Sequence, residues 1–361
     1  MRFAVERQQV NLLKIKTWRR HSFSNAILKG IVSLSVPLLF LGFSARAADG
    51  IRLENFPYPF PVRTFQLTNQ QQTLEMAYMD VQPTNSNADV VVLLHGKNFC
   101  GAYWDQTATA LRDAGYRVVI PDQIGFGKSS KPAHYQFSFQ QLALNTRDLL
   151  HSLGIQQARI LGHSMGGMVA TRYALMFPEE TRQLILIDPL GLEDWQAKGV
   201  PYVSIDERYQ LELKQTPEKI RAYQLTSYYH GDWDPEYDRW VQLGTAFLRS
   251  PDYPRMAWDQ ALTYDMIFTQ PVCHEFNRLE MPVLLMVGSL DRTAIGKNLA
   301  PESIRDSLGN YPKLGRQTAD AIPHCELVVL DGIGHSPHIE AFPRFIEPLK
   351  TFLSKQPPSG R

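Results

Sequence analysis

From residue 90 to residue 189 the chain alternates two kinds of segment, and that rhythm limits the folds open to it more than any other feature. VVVLLHG (90–96), YRVVIPD (116–122), ARILGHS (158–164) and QLILIDP (183–189) are short runs, rich in β-branched residues and apolar at nearly every position. Runs of that kind suit strands buried on both faces of a parallel sheet. Between them, TATALRDAG (107–115) and FQQLALNTRDLLHSLG (139–154) read as helices closed by glycine, and MGGMVATRYALMFP (165–178) as a helix stopped by Pro178. The pattern resumes with strands in MPVLLMVGSLD (281–291) and CELVVLDG (325–332) and a final helix near 338–354. Repeated strand–helix units predict the α/β class, a mostly parallel sheet with helices on both faces. Ahead of them, VRTFQLT (62–68) and TLEMAYMDV (73–81) read as an antiparallel hairpin at the sheet edge.

Ligands of such sheets meet the carboxyl ends of the strands. His95, Gly96, Asp122, Ser164, Asp188, Asp291 and His335 all fall at or just past an expected strand end. The sharpest motif among them is Gly162-His163-Ser164-Met165-Gly166, a G-x-S-x-G between a strand and a helix. A turn that tight forces the serine into a strained backbone and leaves no room for side chains two residues to either side. It also lifts the hydroxyl into the open and puts the Met165 N–H at a helix N-terminus, where it can stabilise an oxyanion.

With HGKNFCG after the third strand, DQIGFGKSS after the fourth, GHSMGG at the elbow, GSLD after a late strand and GIGHSP before the last helix, the chain resembles the α/β-hydrolase superfamily across residues 60–354. The resemblance implies the α/β-hydrolase fold, with Ser164 as nucleophile, Asp291 as acid and His335 as general base, in that family's chain order. A serine hydroxyl needs an imidazole to take its proton, and the imidazole needs a carboxylate to fix its tautomer. Asp188 is the alternative acid, since some relatives place it after that earlier strand. The second oxyanion donor implied is the main-chain N–H of Lys97, with Asn98 as the alternative and the Lys97 charge incidental. His163 is expected to pack beneath the turn, and Cys100 to be a packed structural residue. Gly125, Gly127 and Lys128 are expected to shape the pocket floor; Gly127-Lys128-Ser129 lacks the earlier glycine of a phosphate loop, because Asp122 stands there.

The interruption at 192–275 reads as an inserted helical cap. It holds 14 aromatics in 84 residues, among them Trp195, Tyr228, Tyr229, Trp233, Trp240 and Trp258. These serve the insert's own core and an apolar pocket over the sheet. Segment 292–324 is longer than a plain link and is expected near the pocket mouth. The organisation is therefore a signal peptide at 1–47, core at 48–191, cap at 192–275 and core again at 276–361.

The N-terminal segment reads as a secretory signal: a basic stretch ending at Lys29, the 13-residue apolar run IVSLSVPLLFLGF at 31–43, and Ala45-Arg46-Ala47 before an expected cleavage. That run is shorter than the ~20 residues needed to span a bilayer, so no stable membrane span is expected after cleavage, the alternative being a retained anchor. Removing residues 1–47 leaves 29 basic and 35 acidic residues, a net charge of −6, which disfavours nucleic acid as a partner. Periplasmic or extracellular location would put Cys100, Cys273 and Cys325 in an oxidising compartment that permits one disulfide, in any of three pairings.

The expected function is hydrolysis of small or medium apolar carboxylic esters through an acyl-enzyme, with a small-molecule ester as partner and no metal or organic cofactor. Carbon–carbon bond hydrolysis of ring-cleavage products is the alternative within the family. Relatives that perform it often carry tryptophan directly after the catalytic histidine, where this chain has Ser336. Dehalogenase and epoxide hydrolase chemistry is disfavoured because those elbows carry aspartate in place of Ser164. A non-catalytic binding protein on the same scaffold is the alternative from another class.

Overall fold

The computed structural model describes residues 50–355; the expected signal peptide lies outside the described residues. Eight strands form one sheet in the order β1-β2-β4-β3-β5-β6-β7-β8. They are β1 (Val62–Asn69), β2 (Gln72–Val81), β3 (Val90–Leu94), β4 (Arg117–Pro121), β5 (Ala158–His163), β6 (Thr181–Ile187), β7 (Val283–Gly288) and β8 (Cys325–Leu330). The hairpin β1-β2 stands at one edge and pairs antiparallel to β4, while β4, β3, β5, β6, β7 and β8 run parallel.

Consecutive residues of the parallel strands point to opposite faces, and both faces are dry. Val92, Leu94, Ile160, Leu184 and Leu285 pack with α2 (Phe139–Ser152) and α3 (Met165–Met176). Val91, Leu93, Leu161, Ile185 and Met286 pack on the other side with α1 (Asp105–Asp113) and the C-terminal helix Phe342–Leu353. Each fully buried aliphatic side chain stabilises the fold by about 1.5–3 kcal/mol relative to exposure. That explains why the central strands are apolar at nearly every position rather than at alternate ones, while the edge strand β8 is partly exposed.

Segment 192–275 contains no strand among the described residues and four α-helices: α4 (Ile205–Glu212), α5 (Pro217–Ser227), α6 (Asp238–Leu248) and α7 (Tyr253–Thr269). Local chemistry starts two of them. Ser204 and Glu207 form a reciprocal cap on α4, and Thr216 caps α5 with Pro217 at its first position. After β7 come α8 (Glu302–Arg305) and α9 (Tyr311–Ala321). The expected single C-terminal helix is split at Ala341 (φ −143, ψ 53) into α10 (Pro337–Glu340) and α11 (Phe342–Leu353), because Pro343 has no N–H to continue the preceding turn and sits instead in the first turn of a new helix.

Candidate active site

Ser164 sits between β5 and α3 at φ 56, ψ −122, a conformation that costs a non-glycine residue about 1–3 kcal/mol. The flanking glycines make the turn sterically feasible. A Cβ on Gly162 would lie 2.1 Å from the Gly166 carbonyl oxygen, and one on Gly166 would lie 2.2 Å from that of Leu94. The hydroxyl of Ser164 is 3.0 Å from Nε2 of His335, whose Nδ1 is 2.7 Å from Oδ2 of Asp291. Asp291 Oδ1 accepts the Thr293 N–H at 2.8 Å, so both carboxylate oxygens are engaged. Ser164 is 6%, His335 1% and Asp291 0% exposed, and the three come from loops after three different strands. At that burial a neutral imidazole held in one tautomer between hydroxyl and carboxylate can take a proton from the serine.

Asp188 does not touch His335. Its backbone is at φ 36 and its Oδ1 accepts the Gly288 N–H at 2.8 Å. Burial, followed by the charge of nearby Asp291, pushes its carboxyl well above the usual range. It lies behind Asp291 and makes no hydrogen bond to the imidazole.

The His335 loop is held from four directions. The His335 N–H donates to the Tyr228 carbonyl at 3.1 Å, and the Tyr228 ring stacks on the imidazole at 5.2 Å between centroids. The Glu340 carboxylate accepts the N–H groups of Gly334 and Ser336, at 3.0 and 2.8 Å. His163, expected beneath the turn, is fully buried there and also bridges two loops. Its Nε2 donates to the His335 carbonyl at 2.7 Å, and its Nδ1 accepts from the Tyr103 hydroxyl at 3.0 Å. That hydroxyl accepts the Gly96 N–H at 2.9 Å, and burial keeps His163 neutral by holding its pKa well below the usual value.

Gly96 packs against the nucleophile so closely that a Cβ there would be 3.2 Å from the Ser164 Cβ. The next N–H, that of Lys97, makes no hydrogen bond among the described residues. Met165 is the first residue of α3, where an N–H has no partner within the helix. The Asn98 side chain donates to the hydroxyl of Tyr228, the residue that stacks on the imidazole, at 2.7 Å. Asp122, at the end of β4, anchors the neighbouring loops by accepting from the Gly101 N–H, the Lys128 N–H and the Tyr58 hydroxyl, at 2.6, 2.7 and 2.6 Å.

A cavity of about 360 Å³ lies between Lys97-Asn98-Phe99 and the helices of segment 192–275. Of the three residues expected to shape its floor, Gly127 alone lines it, joined by Phe126. Gly125 packs on Phe137, and the Lys128 ammonium lies over the Tyr58 ring at 4.9 Å, because Asp122 draws that loop back towards the hairpin. The aromatic lining is Tyr223, Phe247, Tyr253 and Tyr264. Trp195, Tyr228, Tyr229 and Trp240 are buried in the hydrophobic core instead. Ala294, Ile295, Gly296 and Asn298 line the cavity, in line with the expected place of the segment after Asp291.

The Lys97 side chain was missed. Its Nζ lies at the cavity wall and donates to Gln260 Oε1 at 2.6 Å. No local signal marks it, since both Gln260 and its other neighbour Glu212 lie more than a hundred residues away in sequence.

A family model described as alpha/beta hydrolase fold matches residues 89–342. A crystal structure of a probable hydrolytic enzyme from Pseudomonas aeruginosa is 52% identical, covers 85% of this chain and 98% of its own, and superposes with a TM-score of 0.84. A putative carbamate hydrolase RutD of Pseudomonas syringae is 27% identical over 76% of this chain and 96% of that protein. Lipase 1 of Psychrobacter immobilis is 24% identical over 75% of this chain and 78% of that protein. The strand order, the strained serine after β5 and these matches together make the chain a hydrolase of the α/β-hydrolase fold family.

Proposed function

We propose that the protein is a serine hydrolase of carboxylic esters that works after export. The observation that carries the reading is the unbroken line of contacts Ser164 Oγ to His335 Nε2 at 3.0 Å and His335 Nδ1 to Asp291 Oδ2 at 2.7 Å. His335 takes the hydroxyl proton as Ser164 attacks the ester carbonyl, and Asp291 stabilises the imidazolium that forms. The oxyanion is received by the N–H groups of Lys97 and Met165. His335 then protonates the leaving alcohol, which departs to give the acyl-enzyme. Water attacks the acyl carbon as the same imidazole takes its proton, and His335 returns that proton to Ser164 Oγ as the acyl–oxygen bond breaks, releasing the acid and the free serine.

A fluorophosphonate probe should label the wild-type protein and leave Ser164→Ala unlabelled. Folded wild-type protein that takes no label would instead favour a binding module. A panel of esters of graded chain length, run beside a dienol keto acid, separates ester from carbon–carbon bond hydrolysis; turnover of the keto acid alone would overturn the ester reading. Export rests on the basic, apolar and small-residue segments before residue 48. N-terminal sequencing of the protein from native cells should begin at Ala48, and a full-length chain in the membrane fraction would contradict it.

A further inference from the structure

Among the described residues, the cavity over the oxyanion loop carries charges that the hydrolytic steps leave unused. Arg208 and Glu212 of α4 form a close pair, with the guanidinium 2.7 and 3.0 Å from one carboxylate oxygen and lying 4.2 Å over the Tyr264 ring. Each cancels the other. Lys97 remains, its side chain 10% exposed and its Nζ 4.0 Å from that same oxygen. An ammonium has three donors, and here one is used, on neutral Gln260. The largely buried cluster of Lys97, Arg208 and Glu212 therefore carries one excess positive charge in a cavity also lined by Phe99, Phe126, Phe247, Met256 and Ile295, while Lys219, on the same wall, is exposed. A buried, half-paired cation is costly, and a bound anion offsets that cost.

We propose that this cavity selects esters bearing a carboxylate on the arm that enters it, recognised by the ammonium of Lys97. The inference rests on the ester-hydrolase reading for its chemistry but not for its binding site. Lys97 offers a natural ruler, since its main chain is the expected oxyanion donor and its side chain reaches about 6 Å from Cα. With a hydrogen bond at each end, the carboxylate stands about four to six bonds from the reacting carbonyl. The apolar wall takes the methylenes between them.

Two matched pairs test it: monomethyl against dimethyl adipate for a carboxylate on the acyl side, and 5-acetoxypentanoate against its methyl ester for the alcohol side. In one pair at least, kcat/KM is expected to be tenfold or more higher for the anion. Lys97→Met should lower that ratio at least fivefold, and Lys97→Arg should restore part of it. Ratios near one in both pairs overturn the proposal.

Should Lys97→Met fail to fold, the wild-type pH profile gives the same reading. Burial lowers the Lys97 pKa to about 8, so the preference is present below that pH and declines as pH rises through it. The other charged groups on the wall are Glu212, Arg208 and Lys219; Tyr223, Tyr253 and Tyr264 also face the cavity, and burial holds them above their ordinary range. A ratio that is flat from pH 7 to 9.5 counts against Lys97. Calorimetry on Ser164→Ala protein separates this inference from the catalytic one. Monomethyl adipate or 5-acetoxypentanoate should bind at least tenfold tighter than its neutral partner even if no ester is turned over, and equal binding in both pairs rejects the anion site while leaving the hydrolase reading intact.

Discussion

The residues of the site differ in how replaceable they are, and the reason is their protonation and contacts. Asp291 contacts the imidazole and Asp188 does not. Asp291→Asn removes the carboxylate that fixes the His335 tautomer, and kcat should fall on the order of 10⁴-fold. Asp188 makes no hydrogen bond to His335, burial pushes its carboxyl well above the usual range, and the Oδ1 of an amide there can still accept the Gly288 N–H. Asp188→Asn should therefore cost less than about tenfold, taking roughly 1.4 kcal/mol as the limit of a mild rearrangement. Steady-state kinetics on the two purified variants decides the matter, and equal losses would undo the assignment of Asp291.

Elements enter through the loops they hold in register. The loop after β3, proposed above to receive the oxyanion, and the loop after β8 that carries His335 are joined by Tyr103 through His163. This makes Tyr103 a positioning residue that touches neither substrate nor nucleophile. Tyr103→Phe leaves the Gly96 N–H buried without its acceptor, which should cost about 1–3 kcal/mol of stability. It should also lower kcat more than it raises KM, because the geometry lost is that of the catalytic loops. Denaturant melts and a kcat–KM split measure both effects; a stability loss with kcat unchanged would reduce Tyr103 to a packing role. The same logic applies to segment 192–275, whose helices α4 and α7 bring Glu212 and Gln260 to the Lys97 ammonium.

At the scale of the whole molecule, the two dry faces of the sheet hold the described fold without a covalent crosslink. Cys100, Cys273 and Cys325 are all free, and burial pushes the thiols of Cys100 and Cys325 up to about 12, so they are poor nucleophiles for exchange. Adding a reductant should leave the melting temperature of the protein unchanged, and a drop of several degrees would reveal a disulfide. The sheet itself was readable from the chain because each strand is marked by its own composition, and every expected strand from 90 to 332 is present to within a few residues. The break at Ala341 was less legible, since a single non-helical residue two positions ahead of Pro343 sits inside an otherwise helical pattern.

Sequence by itself determined the alternation of strands and helices, the elbow around Ser164 and the candidates Asp291 and His335, because each depends on steric rules acting within a few residues. Gly162 and Gly166 are required by contacts across a single turn, and that requirement can be read in the motif. Tertiary structure alone decided which aspartate meets His335, that His163 ties two loops together, and that the Lys97 ammonium faces the cavity. Those facts depend on partners such as Gln260, 163 residues from Lys97, and no local propensity encodes a hydrogen bond across that distance.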